Sequence, residues 1–135
     1  MDDTHRAARF WLALLVVGHF VLTLAHGLAH QRAAVPLTAL QNLFVFGVIV
    51  AGPPVGLAVS WVAPRTGSGM VSVAMAAAFL FGVINHFLLQ SADHVLHVPI
   101  EVRAWFASTA VALAVTEAAG CLLAFRGIRE RTVRP

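Results

Sequence analysis

Long apolar runs alternate with short polar breaks along this chain. Four runs stand out, at about residues 10–29, 37–62, 70–96 and 100–125. Each is near or above the roughly 20 residues that cross a bilayer as a helix. Gly52-Pro53-Pro54 interrupts the second run. Proline removes a helix donor and clashes with the preceding turn, so this tripeptide predicts a kink. Residues 64–69, PRTGSG, read as a turn, and Pro99 separates the third run from the fourth. The pattern predicts an all-α membrane protein: one four-transmembrane-helix bundle domain over residues 1–135.

Within the first and third runs one stretch occurs twice. HFVLTLAHGLAH spans residues 19–30 and HFLLQSADHVLH spans residues 86–97. They share His19/His86, Phe20/Phe87, Leu22/Leu89, Ala25/Ala92 and His30/His97. On a helix of about 3.6 residues per turn, offsets 0, 4, 7 and 11 lie within about 60° of arc. His19, Thr23, His26 and His30 therefore form one polar stripe, and His86, Gln90, Asp93 and His97 form the other. If both copies are helical, the fold is two parallel-repeated helical hairpins, with matched residues at equal depth.

Composition supports the membrane assignment, because only 11% of residues are charged against 59% hydrophobic; soluble domains carry about 25% charged residues. Every basic residue is arginine. Arg6, Arg9, Arg65, Arg126, Arg129, Arg131 and Arg134 fall on one side of the predicted topology, and Arg32 and Arg103 on the other. The positive-inside rule then places a multi-pass protein in the cell membrane with both termini cytoplasmic. No basic face with aromatic platforms is present, which argues against nucleic acid as a partner; the lipid bilayer is the expected one. The single Cys121 rules out an intrachain disulfide and a cysteine metal cluster. Arg6, Arg9 and Ala25-His26-Gly27 loosely fit a cleaved leader, but His19 in mid-run and the length of the run speak for a retained span.

Three chemistries fit the stripes. In the first, His26 and His30 (HxxxH) face Asp93 and His97 (DxxxH). Two ligands four residues apart on each of two helices make a cage for zinc, or for iron or copper. His94 is a further candidate ligand, and Gln90, Thr23 and Asn85 are candidates to orient the imidazoles. In the second, His19 and His86 are axial ligands of a b-type haem between the helices, as in electron transfer with a redox partner. In the third, the histidines relay protons or ions, with Glu117 of the fourth run extending the path. A subunit with purely structural histidines is the remaining possibility. Gly52, Gly56 and Ser60, and Ala110, Ala114 and Ala118, have the small-residue spacing that lets helices approach closely.

Overall fold

A computed structural model describes the backbone of residues 3–133 and the side chains of residues 6–128. Arg134 and the side chains of Arg129 and Arg131 lie outside the described residues. The chain forms α1 (Asp3–Ala33), α2 (Ala39–Phe44), a π-helical turn (Val45–Val50), α3 (Gly52–Val62), α4 (Pro64–Val83), a second π-helical turn (Ile84–Leu88) and α5 (Ile100–Val133). These make four helical stretches long and apolar enough to cross a membrane: Arg6–Ala33, Ala39–Val62, Pro64–Leu88 and Ile100–Ile128. The fold is an all-α four-helix membrane bundle.

Local chemistry sets each boundary. At the end of α1, Ala34 N–H donates to Gln31 O and Val35 N–H to His30 O. This paired closure satisfies the last carbonyls and needs a left-handed residue, which Ala34 supplies at φ 53°. Val35 then packs against the apolar cluster that contains Ala29, Ala33, Val98 and Phe106. Thr38 opens α2 as a capping box: Gln41 N–H donates to Thr38 Oγ1, and Thr38 N–H to Gln41 Oε1. The break expected at Gly52-Pro53-Pro54 takes the form of the π turn just before it. Prolines 53 and 54 offer no N–H to the turn that precedes them, so the helix widens there.

Two boundaries differ from the sequence expectation. Residues 64–69 are the start of α4, not a turn, and Ala63 alone makes the corner. Pro64 occupies the helix's first turn, where its missing N–H costs nothing. Gly67 packs directly on the backbone of Ser60 and Gly56, closer than any larger residue allows, and Gly56 in turn sits against Val71. The Gly52-Gly56-Ser60 stripe thus joins α3 to α4 within one chain.

The third span stops at Leu88, well short of Leu96, and residues 89–99 form a loop that folds back. Val95 N–H donates to His86 O across this reversal. Inside the loop, polar side chains take the roles that helix bonds would otherwise fill. Ser91 Oγ accepts from Asp93 N–H, His94 Nδ1 accepts from Leu96 N–H, and His97 Nδ1 donates to Ser91 O. Arg103 braces the far end with two hydrogen bonds to Val98 O. The two repeat copies therefore differ in conformation: the first is wholly helical, while the second turns out of its helix after Leu88.

In the bundle, α1 packs on α5, α5 on α4 and α4 on α3, while α1 meets the second span only lightly. Spans one and three are thus diagonal. Leu12, Val16, Val71, Met75 and Ala124 form an apolar cluster at the end holding the termini. Ala29, Ala33, Val98 and Phe106 form another at the opposite end. Between and beside these clusters lie the buried polar groups.

Candidate metal centre

His26 and His30 sit on the last two turns of α1, and His86 is in the π turn that ends the third span. One nitrogen from each lies within 4.8 Å of the other two, close enough to hold a metal ion. The closest approach is His26 Nε2 to His86 Nε2, at 3.1 Å. For comparison, tetrahedral zinc with Zn–N near 2.0–2.1 Å has N···N edges of about 3.3 Å. Phe106 packs against all three rings, with centroid separations of 4.8 Å to His26 and His30 and 5.2 Å to His86. Phe106 itself is completely buried.

Hydrogen bonds on the far side of the rings decide which nitrogens carry protons. His26 Nδ1 lies 2.8 Å from Thr109 Oγ1. The Thr109 hydroxyl proton is directed at Trp105 O and Phe106 O, so its oxygen is left to accept from His26 Nδ1–H. His86 Nδ1 faces the main-chain oxygen of Asp93 at 3.2 Å and its Oδ1 at 3.2 Å, both acceptors. His86 thus carries its hydrogen on Nδ1 when neutral, and so does His26 while Thr109 Oγ1 accepts; in that state both Nε2 atoms are free to ligate. Two Nε2 atoms 3.1 Å apart either share one proton in a hydrogen bond or turn two lone pairs toward one cation.

Asp93 supplies the negative side of the same argument. Its Oδ1 is 3.2 Å from His86 Nδ1 and 3.4 Å from His30 Nε2. No donor meets either carboxylate oxygen in hydrogen-bond geometry, and both are buried, as is the unpartnered His30 Nδ1. Burial pushes the Asp93 carboxyl up, but the surrounding imidazoles, His86 foremost, outweigh this and hold it below the usual carboxylate range. A buried carboxylate kept ionised beside facing lone pairs is short of positive charge.

The other expected residues are placed differently. His97 is exposed on the loop, so Asp93 and His97 do not form a helical pair. The fold-back, bonded through Val95 to His86, carries Asp93 onto the histidines and turns His97 away. His94 is buried at the loop's base, its Nδ1 occupied by Leu96 N–H. His19 does not face His86: its Nε2 lies 3.2 Å from Glu117 Oε1, in a pair that is almost fully buried. His86 stands level with His26 and His30, about two turns from His19, so His19 meets α5, which lies beside α1, instead. Thr23 donates to His19 O, Asn85 donates to Phe81 O and accepts from Gln41, and Gln90 is exposed. The side chain that orients His26 is Thr109, which the sequence reading missed. A signal for it exists. Thr109 and Glu117 are about two turns apart on α5, as His26 and His19 are on antiparallel α1, so the pairs form two rungs.

No family model, curated protein or solved structure matches this chain. What the fold and site define is a class: a multi-pass helical membrane protein with three clustered histidines able to hold a metal ion.

Proposed function

We propose that the protein binds one transition-metal ion at the end of its bundle, through His26, His30 and His86, with Asp93 as the fourth ligand or the neutralising charge. The observation that carries this reading is the cluster of three imidazole nitrogens within 4.8 Å of one another, with His26 and His86 each hydrogen-bonded through the other ring nitrogen. The three-nitrogen, one-oxygen donor set suits zinc, and iron or copper less specifically. Phe106 would exclude water, and Thr109 and the Asp93 main chain would orient the rings.

A second reading, proton or ion handling, is favoured by one observation. The His19–Glu117 pair lines the same face of α1 as the histidine cluster, about two turns further into the span. A proton instead of a metal between His26 and His86 would complete such a path.

Elemental analysis and an optical spectrum of the detergent-purified protein test both. About one metal per chain is expected, without a Soret band. His26→Ala and His86→Ala should abolish loading, and His97→Ala should leave it intact. A wild-type protein that takes up no zinc, iron or copper on reconstitution refutes the metal centre, and a Soret band replaces it with haem.

A further inference from the structure

The loosest joint in the bundle lies between α1 and the second span, and it encloses a cavity of about 610 Å³. That size is typical of sites for small organic ligands. At about 30 Å³ per water-sized group, it has room for on the order of 20 such groups. Leu24, Leu28 and Phe46 line it and are 53%, 53% and 64% exposed. All three belong to membrane-crossing stretches, so their exposed surfaces meet lipid. The mouth therefore opens sideways into the bilayer. Gly27 lies on the wall, and a side chain added there would meet no atom within 4 Å.

The polar part of the lining is concentrated and specific. His26, His30 and His86 border the cavity, and Glu117 borders it deeper in the span. Gln31 and Asn42 are its uncharged polar groups near the membrane edge. No arginine lines it. A phosphate or ammonium head drawn into this space would lose its hydration, and no arginine or lysine side chain lines it to replace the water around a phosphate. A hydroxyl or carbonyl pays far less and needs only one or two hydrogen-bond or metal contacts.

We infer that this crevice binds a membrane-dissolved molecule with one hydrocarbon tail and an uncharged oxygen head, of the long-chain alcohol or carbonyl class. The tail lies against Leu24, Leu28, Phe46 and Ile49, and the head reaches the imidazoles of His26, His30 and His86. Such a molecule enters from the bilayer and never crosses water, which matches the side-facing mouth. The head's placement rests on the metal-centre reading, while the tail's rests on the crevice alone.

The test uses full-length protein in phosphatidylcholine vesicles that contain hexadecanol carrying a photoreactive diazirine. After irradiation, peptide mapping should find labels concentrated at Leu24–Leu28 and Phe46–Val50. Lipid-facing Leu14, Val73 and Leu122 should be labelled about tenfold less. Gly27→Trp fills the crevice from open space and should cut its labelling about tenfold. Gly18→Trp, also open but outside the cavity lining, should leave that labelling unchanged. Excess unlabelled hexadecanol provides the same comparison without any substitution, and should remove crevice labels while sparing the lipid-facing background. Metal content is measured on each sample. Labels spread evenly over lipid-facing positions, an unlabelled crevice, or crevice labels indifferent to both competitor and Gly27→Trp overturn the proposal. Competitor-sensitive crevice labels in a protein that binds no metal uphold the crevice and overturn the metal at its head.

Discussion

Thr109→Val isolates the hydrogen bond that sets the His26 proton. Valine keeps the shape of threonine and removes its oxygen, so His26 Nδ1 loses its 2.8 Å partner. Both residues are buried, at 9% and 7% exposure, so water does not readily take that oxygen's place. The metal-free protein has an escape. Its His26 can move the hydrogen to Nε2 and donate across the 3.1 Å gap to His86 Nε2. The metal-bound protein has none, because Nε2 must then be bare and Nδ1–H is left unpaired. A buried unpaired donor costs about 1–3 kcal/mol, and loss of such an orienting partner typically weakens metal sites about 10–100-fold. The cost falls on the bound state alone. Metal affinity, measured by competition with a chromophoric chelator in detergent, should therefore weaken about 10–100-fold, with little change in the melting of the metal-free protein. Thr109→Ser should restore most of the affinity. A Thr109→Val affinity within about twofold of wild type would refute the proton assignment on which the metal reading stands.

Three further outcomes follow. Asp93 is held ionised, so its contribution to stability is present above the ordinary carboxylate range and is lost as pH falls through its lowered folded value; Asp93→Asn should therefore flatten the acid limb of a pH-melting profile below about pH 4, and an unchanged limb would remove Asp93 from that role. Ala34 pays for its left-handed backbone, so Ala34→Gly should stabilise the end of α1 by about 1 kcal/mol, read as a raised melting temperature; a lowered one would contradict the helix closure drawn here. In a chain with Cys121→Ser, Arg65→Cys should react only with a membrane-permeant thiol reagent and Arg32→Cys with an impermeant one; the reverse pattern would invert the orientation expected from the arginines.

The helices were legible because a membrane demands a signal that few other structures need, about 20 apolar residues in a row. His26, His30, His86 and Asp93 were legible as candidate site residues, since polar groups are costly in such runs. Their partnerships were not. Stripe geometry treated residues 86–97 as one helix, yet Ser91 and His94 side chains bind nearby main-chain N–H groups and release the chain from the helix. Two bonds back to His86, from Val95 N–H to its carbonyl and from its Nδ1 to Asp93 O, then hold Asp93 beside the histidines. The repeat suggested His19 level with His86, but His86 lies level with His26, about two turns away, and Glu117 of α5 pairs with His19 instead. PRTGSG looked like a turn because glycine and proline usually signal one. Here they serve a helix start and a close approach between helices, and both depend on the partner α3.

The fold-back over residues 89–99 gives the site a hinged cover made of loop. Its ties are Val95 and Asp93 to His86, the turns at Ser91 and His94, Arg103 on Val98, and the buried Val98 in the apolar cluster. Releasing residues 89–97 breaks ties within the loop and to His86 but not the contacts among the four spans, so it costs less than unfolding the bundle. Residence time and bundle stability are then set by different parts of the molecule. An ion bound as proposed, by α1 and the third span, would exchange at the rate at which Asp93 lifts away, without any span moving in the bilayer. Hydrogen exchange would report this as fast amides at residues 89–97 beside slow ones at His26 and Thr109.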